Sequence, residues 1–185
     1  MQTFQTFNTI SSSIIDGANK DLKKVFGEIV TYFDPNKSQN KKTKVLDCSI
    51  THIWSEDDYK QKYQITKTRN FNGLKNNTFD VVIFEPPIDK NFSVISTEYA
   101  GVFYKLIEDN GVVIVKVKDF KEDKELKGSY NIQTIFNSCN FYLNNKIIYK
   151  YKDTYNNLCQ QNKKDSNINY CYFLIFFKKD NKNDS

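Results

Sequence analysis

The sequence predicts an α/β fold in which helices cover a mostly parallel sheet and an antiparallel pair of strands closes the chain. Three observations carry this expectation. Strand-type and helix-type segments alternate from residue 44 to residue 139. The segment FDVVIFE, residues 79–85, is apolar on both of its faces, the pattern of a strand buried inside a parallel sheet. Two consecutive strand-type segments, FYLNNKIIYKY (141–151) and YCYFLIFFKK (170–179), end the chain.

With 185 residues the chain is long enough for one domain with its own core, so residues 1–185 are read as a single unit. Residues 1–10 form a loose leader. Ser11, Ser12 and Ser13 can cap a helix, and Ile14, Ala18, Leu22, Val25, Phe26, Ile29, Val30 and Phe33 recur at helical spacing, so a helix is expected over 12–33. Asp34-Pro35 ends it. KVLDCSI (44–50) is a buried-type strand and KYQITKTRNF (62–71) a weaker one. A helical stripe covers 95–109, with Asn110-Gly111 as its stop. VVIVKVKDF (112–120) is the next strand and 131–139 a short helix. A polar connection, 152–169, separates the two closing strands, and 179–185 is a frayed tail.

Composition excludes several classes. The longest apolar run, Cys171 to Phe177, is far short of the roughly 20 residues that span a bilayer. The N-terminal MQTFQTFNTISSS lacks the basic start and apolar block of a secretory signal. A soluble intracellular protein is expected. Cys48, Cys139, Cys159 and Cys171 form no C-x-x-C pair and His52 is the sole histidine, so no metal site is expected and the thiols are read as reduced. The net charge of +5 permits contact with nucleic acid without demanding it. Tyr142, Tyr149, Tyr151, Tyr155, Tyr170 and Tyr172 lie among lysines, a pattern that can stack single-stranded bases but that suits the packing of an edge hairpin better. Trp54 is read as a core anchor, and His52 has no Ser or Asp placed to make a triad.

The chemistry-bearing stretch is Glu85-Pro86-Pro87-Ile88, where the strongest strand runs into an acid and a rigid turn. In this position it resembles the D/N/S-P-P-aromatic tetrapeptide of class I S-adenosylmethionine-dependent methyltransferases, in the branch that methylates adenine N6 or cytosine N4 of nucleic acid. KVLDCSITHIW resembles that family's first strand and cofactor loop, YAGVFYKLIEDNGVVIVKVKDF its helix and fifth strand, and the tail its sixth and seventh strands. The likeness covers about residues 40–178. It implies a Rossmann-like methyltransferase fold; few residues separate Trp54 from the strand near Ile65, so the second-strand region is expected to be shortened or deleted.

Against the needs of methyl transfer the motifs are altered at three points. The loop after Asp47 reads Cys48-Ser49-Ile50-Thr51-His52-Ile53-Trp54, without the glycines that would let the backbone turn closely around a cofactor. The acid that the family places after its second strand to hold the ribose has no clear counterpart; Glu56, Asp57 and Asp58 are the nearest acids and sit in a polar turn. Glu85 is one methylene longer than Asp, a displacement that costs on the order of 100-fold in rate. Ile88 replaces the aromatic ring that grips the base, with Phe92 the nearest substitute. Asp119 stands where many members carry an acid beside the pocket, and Lys116 and Lys118 alternate on the strand before it.

The resemblance therefore implies a catalytically inactive methyltransferase-like subunit. Glu85, Pro86, Pro87 and Ile88 are a vestigial catalytic motif, Asp47 and Asp119 vestigial cofactor positions, and no cofactor or metal is expected. The implied partners are a catalytic methyltransferase subunit and other chains of a DNA adenine-N6 methyltransferase complex, which would contact DNA in the nucleus rather than the cytoplasm. The Asn- and Lys-rich composition with Arg69 as the sole arginine suits an A/T-rich coding genome, as in ciliates, and such a complex of ciliate type is the specific expectation. An active divergent enzyme, with Glu85 orienting the target amine and Asp47 and Asp119 flanking the cofactor, and a stand-alone nucleic-acid-binding module remain as alternatives.

Overall fold

The computed structural model describes residues 11–16, 22–50, 61–122, 125–150 and 170–179. Its elements are β1 (Ser11–Asp16), α1 (Leu22–Phe33), β2 (Thr43–Cys48), β3 (Tyr63–Lys67), β4 (Phe79–Phe84), α2 (Phe92–Leu106), β5 (Ile107–Val117), β6 (Phe120–Glu122), β7 (Glu125–Lys127), α3 (Ser129–Ser138), β8 (Phe141–Lys150) and β9 (Tyr170–Lys178). Seven strands make one sheet in the order β1-β8-β9-β5-β4-β2-β3, and β6 and β7 form a separate hairpin. From β3 to β5 the sheet is parallel; β9 runs antiparallel between β5 and β8, and β1 lies parallel to β8. The expected mixed α/β sheet with an antiparallel C-terminal pair is present.

The alternation of side chains along each strand makes two apolar layers. Val82, Phe84, Val113, Val115, Leu174 and Phe176 point to the face that also holds Ala100 and Phe103 of α2 and Ile132 and Phe136 of α3. Val81, Ile83, Val112, Ile114, Phe173 and Ile175 point to the face covered by Val25, Phe26, Ile29 and Val30 of α1. Phe136 stacks on Phe176 with ring centroids 4.6 Å apart, and Phe26 lies 5.7 Å from Phe173. Fully burying each such ring contributes about 1.5–3 kcal/mol, so both layers are needed to hold the sheet. Among the described residues no helix is long and apolar enough to cross a membrane.

Several boundaries differ from the sequence reading. The helix expected over 12–33 is confined to Leu22–Phe33, and Ser11–Asp16 is a strand paired with Asn145–Lys150. Ile14 and Ile15 are β-branched, and a free edge on β8 offers them a ladder that outweighs the helical spacing. α2 begins at Phe92 and ends at Leu106, so Ile107 opens a strand rather than extending the stripe. Asn110-Gly111 is not a helix stop but part of a bulge: Phe79 pairs with Ile107, whereas Val81 already pairs with Val112. Gly111 is required there by space, since a Cβ would overlap the Ile107 side chain and stand 3.0 Å from the Asp80 carbonyl oxygen. The β6–β7 hairpin was not anticipated. The leader, 1–10, and residues 180–185 of the tail lie outside the described residues.

The stretch from Thr51 to Lys60, where the second-strand region is expected to be shortened, lies outside the described residues. β3 has five residues and forms the sheet edge beside β2. If β2 and β4 are the family's first and fourth strands, two strands should intervene; among the described residues only β3 does, and residues 68–78 contain neither helix nor strand.

Candidate functional site

The sheet order fixes where a site can form. The chain leaves β2 toward β3 on one side and leaves β4 toward β5 on the other, so the strand order reverses between β2 and β4. In open parallel sheets the crevice beyond the C-terminal ends at such a reversal is where ligands bind. Asp47 and Cys48 end β2 and Glu85 follows β4, so the sequence motifs do converge there.

Glu85 is tied in from three strands. The register pairs Phe84 with Val115, the residues just before Glu85 and Lys116. The Lys116 ammonium donates to Glu85 Oε1 at 2.6 Å, with side-chain exposures of 4% for Lys116 and 15% for Glu85. Ile50, just past β2, donates its backbone N–H to Glu85 Oε2 at 3.1 Å. Arg69, just past β3, donates through Nη2 to the Cys48 carbonyl at 3.2 Å and to the Glu85 carbonyl at 3.4 Å. An ammonium, a guanidinium and an N–H thus converge on the ends of β2 and β4.

Asp47 is buried; its Oδ1 accepts the Ser49 N–H at 2.9 Å, and its Oδ2 has no hydrogen-bond partner among the described residues. Cys48 donates to the Thr68 carbonyl at 3.2 Å, and burial, reinforced by the Asp47 charge and opposed by Arg69, pushes its thiol up to about 12. Pro86 is buried, and Pro87 and Ile88 are half-buried. Phe92 is no stand-in for the missing aromatic: it is 1% exposed and meets Phe120 edge to face at 5.1 Å, which closes the β6 hairpin onto α2.

Asp119 stands apart from this cluster in its bonding. Its Oδ1 accepts the Ser129 N–H at 2.7 Å, so it caps α3, and Gly128, at φ 133°, leaves the space its carboxylate needs. Tyr172 is pushed well above the ordinary phenol range by burial, by its hydrogen bond with Tyr170 and by Asp119. Lys146 lies 4.2 Å from the Tyr172 ring and 3.5 Å from Ser129 Oγ. Of the tyrosines, Tyr149 and Tyr172 are buried, Tyr170 is half-buried and Tyr142 is exposed and stacked on Phe177, which is hairpin packing. His52, Trp54, Glu56, Asp57, Asp58, Tyr151, Tyr155 and Cys159 lie outside the described residues, as does the loop from Thr51 onward.

Two of the site residues were missed as such. Lys116 was legible as the lone charge in an otherwise apolar strand run, since a lysine in such a run is rarely buried unless paired. Arg69 had only its singularity in a lysine-rich chain to mark it.

A sulfonium methyl donor asks for an acid after β3, a bare turn after β2 and an acceptor free to orient the target amine. The end of β3 carries Lys67, Thr68 and Arg69 instead of an acid. Positive φ among the described residues occurs at Gly73, Asn77, Gly128 and Asn140, so none falls in 47–50. The Glu85 charge is neutralised by Lys116. Among the described residues at these strand ends, Asp47 Oδ2 is the buried acceptor left without a hydrogen-bond partner. Among the described residues, the ends of β2, β3 and β4 therefore do not make a donor set that fits a cationic methyl donor.

No protein-family model matches the sequence, and no curated protein is similar to it. Solved structures are similar in fold. A candidate sarcosine dimethylglycine methyltransferase from Galdieria sulphuraria matches at a TM-score of 0.53 and 9% identity, over 85% of this chain and 84% of that one. A SAM-dependent methyltransferase from Methanosarcina mazei matches at 0.53 and 7% identity, over 82% and 97%. A candidate DNA modification methylase from Thermus thermophilus matches at 0.46 and 12% identity, over 74% of this chain; the chain spans 53% of its length. The α/β Rossmann-like fold of this chain is that of the class I SAM-dependent methyltransferases.

Proposed function

We propose that this chain is a methyltransferase-like scaffold without transfer activity of its own, a structural subunit of a nucleic-acid adenine-N6 methyltransferase assembly. The observation that carries the reading is the Lys116–Glu85 ion pair at 2.6 Å. Transfer to an exocyclic amine passes positive charge from the donor sulfur to the acceptor nitrogen, and electrostatic catalysis needs an unneutralised acceptor aimed at it. Here the chain's own ammonium takes that acceptor, and the Ile50 N–H holds its second oxygen. The Pro-Pro turn then survives as a rigid part of the scaffold.

The adenine substrate and the assembly come from the motif resemblance, and DNA in a nucleus is the specific form we favour. Capture of the full chain from its native cells tests the reading. The captured assembly should transfer labelled methyl groups to adenine-containing DNA, while the purified chain transfers none. Recovery of the chain without any methyltransferase activity would remove the subunit role.

One observation favours a second reading, an active divergent enzyme: Asp47 Oδ2 is buried and without a partner among the described residues, as an acceptor awaiting a ligand would be. If that reading holds, Glu85→Ala abolishes transfer by the purified chain.

A further inference from the structure

The C-terminal ends of β2, β4 and β5 bring two cations of the chain, Lys116 and Arg69, beside the carboxylates of Asp47 and Glu85. The Lys116 ammonium lies on Glu85, from the strand that flanks β4, and is almost wholly withdrawn from water. On the other side Arg69 spans the ends of β2 and β4 through two backbone carbonyls. A carboxylate in a crevice attracts a cationic ligand because little water screens the pair. Once an ammonium sits on that carboxylate, a second positive charge gains no net attraction and meets repulsion from the first. The ladder that joins β4 to β5 ends at Phe84 and Val115, so Glu85 and Lys116 are the next residues of their segments, and both side chains are largely withdrawn from the surface.

We propose that Lys116 is the residue that excludes positively charged ligands from this crevice: its ammonium takes, beside Glu85, the electrostatic place that a sulfonium-bearing nucleoside would otherwise occupy. The inference rests on the scaffold reading and names what keeps the crevice inert. It makes the selectivity one of charge. A nucleoside thioether with neutral sulfur is disfavoured less than the same molecule methylated to a sulfonium. Removing the ammonium should restore an anionic crevice, and with it a preference for the cation.

Calorimetry on the full chain separates the two claims, with S-adenosylmethionine as the cationic probe and S-adenosylhomocysteine as its neutral counterpart. The wild-type chain should bind S-adenosylmethionine no more tightly than about 1 mM. Lys116→Met, folded by circular dichroism, should bind it at least about ten-fold more tightly than wild type and prefer it to the neutral probe. Adding Glu85→Gln to that variant should remove both the gain and the preference. Should Lys116→Met not fold, Lys116→Gln, which keeps a hydrogen-bond donor for Glu85, takes its place with the same outcomes. A folded variant that binds S-adenosylmethionine no better than wild type, or binds both probes equally, overturns the assignment of Lys116 and leaves the scaffold reading standing. Tight binding of S-adenosylmethionine by the wild-type chain overturns both.

Discussion

Near the end of β5 a lysine stands in the run VVIVKV with 4% of its surface exposed. A charge in such a place is held by its partner, and removing either member leaves the other buried and uncompensated. Lys116→Ala should therefore lower stability by about 3–5 kcal/mol in urea denaturation. Glu85→Gln with Lys116→Met should cost less than the single lysine change, because no charge is stranded. A loss under about 1 kcal/mol would mark the pair as no better than a surface contact. Cys48 gives a second test at this scale. Its thiol is held protonated by burial, up to about 12 from an ordinary 9.0. The native state then binds a proton that the unfolded chain has released, so the stability from this group is complete below pH 9 and is lost as pH rises from 9 toward 12. At pH 8 iodoacetamide should label half-buried Cys139 before Cys48; equal rates would contradict the buried thiol. At residue scale the sequence showed Glu85 through its Pro-Pro turn but not its partner, since pairing depends on a register that only the folded sheet sets.

Elements were legible where one pattern dominated and misread where two competed. FDVVIFE has no helical alternative, and β4 lies within it. Ser11–Ile15 satisfies both a capped helix and a β-branched strand, and the open edge of β8 decides for the strand. Asn110-Gly111 reads as a helix stop, yet its glycine serves the bulge where β5 meets β4. That site is testable on its own. Gly111→Ala would press a methyl onto Ile107 and the Asp80 carbonyl, and overpacking of this kind costs roughly 1–3 kcal/mol. Thermal denaturation should show the loss. An unchanged midpoint would mean that the bulge opens without strain.

At the scale of the molecule, the mixed sheet with its antiparallel C-terminal pair was legible and the reach of the site was not. Too few residues separate Trp54 from Phe79 for two strand–helix units, and the described part of the sheet carries only β3 beyond β2. Convergence of β2, β3, β4 and β5 on Glu85 could not be read from the sequence, because Arg69 and Lys116 are 16 and 31 residues away from it. Their meeting makes the end of the sheet a neutralised polar knot in a methyltransferase fold. The central claim is that this knot holds structure and performs no transfer. Its most direct test is transfer of labelled methyl from S-adenosylmethionine to adenine-containing DNA by the purified chain alone. The account predicts counts equal to a protein-free blank; turnover that disappears in Glu85→Ala would contradict it.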